Sequence, residues 1–249
     1  MKKLRIAAAL LAGLLWTSCH FTEEIHLNED GSGSIALSFD GSQLLSLSES
    51  DSVAMAEQPK RQDSVIRFSD VLDKKKDSIR TLPPEEQRRL EKLRPYQMRM
   101  ITDHQAGEMR FILSRDFRDI SEVGDAFSAF QDAGALEPAQ GENSPLEPTD
   151  QVSQSTEVVY SMKGNTFSRR GFIVDSVLHQ QRIDSLKGSE SFLEESTYKL
   201  EIHFPRRVRS ANIKNATLSM DGKTLFYEVP FLDYLIKPQV LDLEVVLED

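Results

Sequence analysis

Six apolar residues near the front of this chain all carry odd numbers: Phe21, Ile25, Leu27, Ile35, Leu37 and Phe39. Residues that face each other across an antiparallel strand pair lie on one side of the sheet, so the turn decides whether this parity survives. A two-residue turn at Asp30-Gly31 would pair odd positions with even ones and set Leu27 against Ser34. A loop of Glu29-Asp30-Gly31, closed by Asn28 and Ser32, instead pairs Ile25 with Ile35 and keeps the apolar side chains together. That loop is a type I turn with a bulge, and Gly31 supplies its left-handed position without steric cost. The parity therefore dictates a hairpin with one dry and one wet face, with Asp30 and Gly31 as turn residues. Glu23 is the one charge on the apolar parity, so the regular strand is expected to start after it. As a calcium loop the segment fails, because His26 and Leu37 stand where the flanking acid and the bidentate Glu belong.

Ahead of the hairpin, Lys2, Lys3 and Arg5 precede an apolar run from Ile6 to Trp16, and Thr17, Ser18 and Cys19 follow. A membrane-crossing helix needs roughly 20 apolar residues. This run is shorter, and its basic start and small residues before Cys19 suit a secretory leader. The chain has a single cysteine, which excludes an internal disulfide and leaves one exported thiol in need of a fate. The stretch resembles the bacterial lipoprotein signal, departing from it at Trp16, where that pattern prefers an aliphatic residue. The resemblance implies a leader over residues 1–18 and a diacylglyceryl group on the Cys19 thiol. Two or three acyl chains on one residue suffice for stable membrane attachment.

The chain is 249 residues long with a formal charge of −10, and loss of Lys2, Lys3 and Arg5 with the leader makes it more acidic still. Such a balance disfavours nucleic acid and gives no attraction to anionic lipid, so acyl chains rather than the surface must hold it to a membrane. Residues 19–249 are expected to form a single α+β domain: antiparallel sheets built from hairpins, with several helices packed between or against them.

The remaining elements are read from periodicity. Asp40 to Leu47 suggests a helical turn and Ser48 to Asp63 a loop. Ser69 suits the cap of a helix over Asp70 to Arg80, and Pro83-Pro84-Glu85-Glu86 starts another reaching about Arg94. Tyr96, Met98 and Met100 alternate, as do Met109, Phe111 and Leu113, which predicts a hairpin turning at Gln105-Ala106-Gly107. Asp119 and Glu122 fit a capping box for a helix from Ile120 to Asp132. Residues 136–155 carry Pro138, Pro145 and Pro148 without a period and read as a disordered insert. A hairpin turning at Gly164-Asn165, a helix from Asp175, a strand from Tyr198 to Phe204 and a two-residue Asp221-Gly222 turn pairing Leu218 with Leu225 follow. Leu232 to Ile236 reads as a helical turn, and Leu241, Leu243, Val245 and Leu247 form the last strand.

The stretches EEIHLNEDGSGSIALSFD, FSDVLDKKKDSIRTLPPEEQRRL, DFRDISEVGDAF and YKLEIHFPRRVRSANIKNATLSMDGKTLFYEVPFLDYL resemble a family of uncharacterised envelope lipoproteins from Bacteroidota. More loosely, the first hairpin with the strand ending at Phe204-Pro205 is similar to LppM-type lipoprotein domains. The resemblance implies an envelope lipoprotein of α+β fold and transfers no catalytic residue. Acids soon after the cysteine can direct surface display in such lipoproteins, but His20, Phe21 and Thr22 separate Glu23-Glu24 from Cys19, so the periplasmic side of the outer membrane is expected.

No nucleophile elbow, phosphate loop or HExxH helix is present. The histidines at 20, 26, 104, 179 and 203 are not spaced as ligand pairs, and those at 26, 104, 179 and 203 are expected to face solvent. No catalytic residue, cofactor or metal ligand is therefore expected. Arg206, Arg207 and Arg209 form a possible patch for a partner or a lipid head group, weighed against ordinary salt bridges to abundant acids. The expectation is a lipid-anchored, non-enzymatic module facing an envelope protein or lipid close to the membrane. A carrier of a hydrophobic ligand in a sheet-and-helix cavity comes second, and an enzyme assembled only by the fold comes third.

Overall fold

The computed structural model describes residues 20–42, 61–136, 154–187 and 193–249. Cys19 and the leader, the expected helical turn beyond Ser42 and nearly all of the 136–155 insert lie outside those residues.

The first hairpin forms as its parity requires. Strand β1 (His20–Leu27) pairs antiparallel with β2 (Gly33–Asp40), Ile25 opposite Ile35 and Phe21 opposite Phe39. Gly31 N donates to Asn28 O at 3.1 Å, Asn28 N donates to Ser32 O at 2.8 Å, and Gly31 has φ +82°. The hydroxyl and backbone N–H of Ser32 donate to Asp30 at 2.6 and 3.0 Å, which holds that carboxyl below its usual range. One expectation needs correction. β1 begins at His20 and runs straight through Glu23, whose side chain is wholly buried.

Strands β3 (Arg61–Arg67), β4 (Gln97–Asp103) and β5 (Glu108–Phe117) extend the sheet beyond β2. The β4–β5 hairpin turns where expected, with Gly107 at φ +64°. β3 begins inside the stretch read as a loop. It is an edge strand in which every residue but Ile66 is exposed, so it carries no apolar alternation to read. On the other side of β1 lies β8 (Thr197–His203), and the two run parallel from His20 beside Thr197 to His26 beside His203. Strands β11 (Thr224–Pro230) and β10 (Thr217–Leu218) complete an eight-stranded sheet in the order β10-β11-β8-β1-β2-β5-β4-β3. Leu218 does face Leu225, but the turn differs from the expected one. Only Gly222 is left-handed (φ +70°), and its N–H donates to Ser219 O, so the turn spans Ser219 to Gly222 rather than resting on Asp221-Gly222 alone. Asp221 accepts from the Ser219 hydroxyl and from Lys223 N.

A second sheet has the order β6-β7-β12-β9, from β6 (Thr156–Lys163), β7 (Thr166–Ile173), β9 (Val208–Ala211) and β12 (Leu243–Leu247). Leu241, Leu243, Val245 and Leu247 are all fully buried, as their alternation implies, but Leu241 ends a 3-10 turn (Pro238–Leu241) and the strand itself starts at Leu243.

The described helices are α1 (Phe68–Lys74), α2 (Lys76–Ile79), α3 (Pro84–Glu91), α4 (Ala126–Leu136), α5 (Ser176–Ser185) and α6 (Phe231–Ile236). The single helix expected over 70–80 is two short ones, and Ser69 lies inside the first rather than capping it. Asp119 caps only a 3-10 turn, Ile120–Glu122, through Ser121 N at 2.8 Å. The longer helix α4 starts at a second cap: Asp125 accepts from Phe127 N at 3.0 Å and Ser128 N at 3.1 Å.

The smaller sheet and the helices α4 and α6 cover one face of the large sheet, which makes the molecule α+β in two layers. Phe21 is the centre of the helical half. Its ring lies 4.5 Å from Phe231, 4.8 Å from Phe39 and 5.3 Å from Phe127, the last edge-on. In the sheet half, Phe167 of β7 meets Phe204 at 5.5 Å. Glu23 lies at the seam between these halves.

Candidate functional site

Both faces of β1 carry ionisable groups, and β8 supplies partners to each. On the inner face, Glu23 accepts from Tyr160 Oη of β6 at 2.5 Å and from Tyr198 Oη of β8 at 2.6 Å. Arg169 Nε of β7 approaches the same carboxylate at 3.4 Å, and both side chains of this pair are out of reach of solvent. The Arg169 guanidinium also lies 5.7 Å from the Tyr160 ring and donates to Leu241 O at 3.5 Å. Burial works against the charge on Arg169, but the Glu23 carboxylate and the Tyr160, Tyr234 and Tyr198 phenols together outweigh it and keep the group protonated well above the ordinary arginine range. Burial, then the Glu23 charge, pushes the Tyr160 and Tyr198 phenols well above the usual tyrosine value, so both remain donors. A charge on the apolar parity is tolerated here because three donors meet it, one on β8 and two on the smaller sheet. The arrangement joins the two layers and is closed to any substrate.

The outer face holds an open cluster. Even-numbered residues of β1 point outward, and the parallel register sets Glu24 beside Glu201 and His26 beside His203. The two imidazoles stack face to face, 4.0 Å between centroids and 1° between planes. Glu24 Oε1 lies 2.8 Å from His26 Nε2 and 3.4 Å from His203 Nε2. His203 Nε2 is also 3.3 Å from Glu201 Oε1, while Lys199 Nζ holds the other Glu201 oxygen at 2.9 Å. Thr224 Oγ1 of β11 sits 3.1 Å from His203 Nδ1. Among the described residues, Glu24, His26 and His203 are the group whose donor atoms converge enough to hold a metal ion, all within 4.8 Å of one another. Nearer the start of β1, His20, Thr22 and Glu24 form one wall of a shallow polar trough of about 330 Å³, bounded opposite by Asp40 and Arg110.

Sequence spacing gave no hint of this pair, because His26 and His203 belong to strands that meet only through a long-range parallel ladder. Their outward parity was readable and is observed. His179 departs from expectation: it is buried, with Nε2 2.9 Å from Ile236 O. The arginine patch is largely engaged within the molecule. Arg206 meets Glu29 at 3.3 Å, Asn165 Oδ1 at 3.1 Å and Glu248 O at 3.1 Å, and Arg209 meets Asp249 at 3.1 Å. Arg207 remains exposed beside the Gly222 turn, its carbonyl accepting from Glu248 N.

No family model and no curated protein matches the chain. Among solved structures, the NMR structure of the folded domain of LppM from Mycobacterium tuberculosis aligns over 95% of each chain, with a TM-score of 0.31 and 9% sequence identity. None of the described helices is long and apolar enough to cross a membrane.

Proposed function

We propose that this chain is a lipid-anchored envelope protein whose α+β domain serves as a non-enzymatic binding module next to the membrane. The observation that carries the reading is the junction at Cys19. A leader-like segment ends on the chain's single cysteine, and β1 begins at the next residue. An acyl group on Cys19 therefore has no spacer between it and the large sheet. The domain would stand against the head groups, where a lipid or another membrane-proximal protein is the accessible partner. The space between the two layers is occupied by Tyr160, Arg169, Phe167 and Tyr198, all fully buried, which favours a binding surface over a carrier.

Metabolic labelling with palmitate tests the anchor. The full chain should incorporate label and fractionate with membranes, and the Cys19→Ala chain should do neither. A Cys19→Ala chain that still fractionates with membranes defeats the reading. Crosslinking in the native envelope then tests the binding role: adducts should form with lipid or with a membrane-proximal protein and disappear with the Cys19→Ala chain.

A further inference from the structure

We infer that Glu24, His26 and His203 form a binding site for a divalent transition-metal ion of the zinc class on the open face of the large sheet. The site is independent of the anchor.

Its chemistry follows from the electrostatics of the apo cluster. Thr224 Oγ1 is in hydrogen-bond reach of His203 Nδ1, and in the tautomer that donates to it the Nε2 lone pair points outward. That nitrogen is screened from solvent, forms no hydrogen bond, and faces Glu24 Oε1 at 3.4 Å and Glu201 Oε1 at 3.3 Å. A bare lone pair facing two carboxylate oxygens is repulsive. A metal ion between them removes the repulsion. A single divalent ion satisfies the cluster, accepting both Nε2 lone pairs and one Glu24 oxygen.

The donor atoms are close to zinc dimensions, all three lying within 4.8 Å of one another. Zinc bonds nitrogen and oxygen at about 2.0–2.2 Å, so tetrahedral donors stand about 3.3 Å apart. The observed separations from Glu24 Oε1 are 2.8 Å to His26 and 3.4 Å to His203. The parallel rings leave their lone pairs side by side rather than convergent, so binding requires small rotations of two partly exposed side chains. Thr224 on His203 Nδ1 provides the outer-shell contact that fixes a ligating imidazole, and Lys199 anchors Glu201 beside the fourth position. Two imidazoles with one carboxylate suit zinc, nickel or copper and disfavour calcium and magnesium, which take oxygen donors.

The test uses the tag-free full chain in detergent, stripped by a chelator and titrated with zinc chloride against a chromophoric competitor. One ion should bind per chain, and zinc-edge absorption should show two imidazole nitrogens. His26→Ala, His203→Ala and Glu24→Gln should each weaken binding at least about tenfold. His104→Ala, in the β4–β5 turn, and Cys19→Ala should leave it unchanged. All these side chains except Cys19 are on described surface positions, so far-UV circular dichroism and melting without metal should match the parent. Failure to bind at millimolar zinc overturns the inference. So does parental affinity in the His26→Ala/His203→Ala chain, which would mark the ion as adventitious, or loss of binding in Cys19→Ala, which would assign it to the thiol.

Discussion

Glu23→Gln is the substitution that tests the internal architecture most directly. It keeps the shape of the side chain and removes its charge. Arg169 would then be a guanidinium with 0% side-chain exposure and no adjacent carboxylate, while the hydroxyls of Tyr160 and Tyr198 would share a weaker acceptor. Removing one partner of a buried ion pair costs about 3–5 kcal/mol. Asp125 reduces that figure, since it lies close enough to Arg169 to feel its charge, although burial still holds the Asp125 carboxyl above its usual range. The lower end, about 3 kcal/mol, is therefore expected, with the weakened phenol hydrogen bonds adding about 1 kcal/mol. In urea, with a slope of about 2–3 kcal/mol per molar, the midpoint should fall by more than about 1 M. The ion pair is isolated by a cycle with Arg169→Met. That change should cost at least about 2 kcal/mol less in the Glu23→Gln background than in the parent. A midpoint shift below about 0.3 M, or costs that simply add, would refute the claim that Glu23 and Arg169 hold the two layers together.

Asp132 in α4 gives a pH signature. Burial raises its pKa from 3.8 to about 6, against the pull of Arg89 at 3.5 Å. Its folded value exceeds its unfolded one, so its contribution is fully present below about pH 4 and is lost as pH rises through about 6. Asp132→Asn should thus flatten the stability profile over that window in denaturant titrations and stabilise at pH 7.5 by up to about 3 kcal/mol, less whatever Arg89 loses. Gly33→Ala should destabilise by more than about 2 kcal/mol in thermal melts, because its Cβ would lie 1.9 Å from His26 O and 2.7 Å from the Phe117 ring. Gly222→Ala, at φ +70°, should cost about 1 kcal/mol by the same measurement. Replacing Arg209 with Glu should change stability by no more than about 1 kcal/mol, since its pair with Asp249 is solvent-exposed.

Parity made the first hairpin legible down to its register, since of a two-residue and a three-residue loop only the latter keeps Phe21 through Phe39 on one face. It also exposed the anomaly at Glu23, though with the wrong resolution. Starting the strand after Glu23 and finding the charge a buried partner both satisfy the same pattern. The choice depends on Tyr160, Arg169 and Tyr198, up to 175 residues away in sequence. Long-range pairing hid the outer cluster for the same reason. His26 and His203 each look like ordinary wet-face residues, and only the parallel β1–β8 ladder makes them neighbours. Two acids competed to cap one helix. Asp119 had the recognisable box, but Asp125, after Gly124, starts the helix that carries Phe127 and Phe130. β3 was invisible because an exposed edge strand has no dry side to alternate.

The position of β1 also decides how the protein carries force. A pull applied at Cys19 enters the sheet along the axis of β1, which is hydrogen-bonded to β2 on one side and β8 on the other. The ladder bonds stand across that axis. The load is therefore shared as shear by two ladders at once, where an edge strand such as β3 has one. Glu23, gripped from the layer beneath, acts as a peg against sliding. A molecule loaded at this point should resist extraction far better than one pulled from β3 at the sheet's edge.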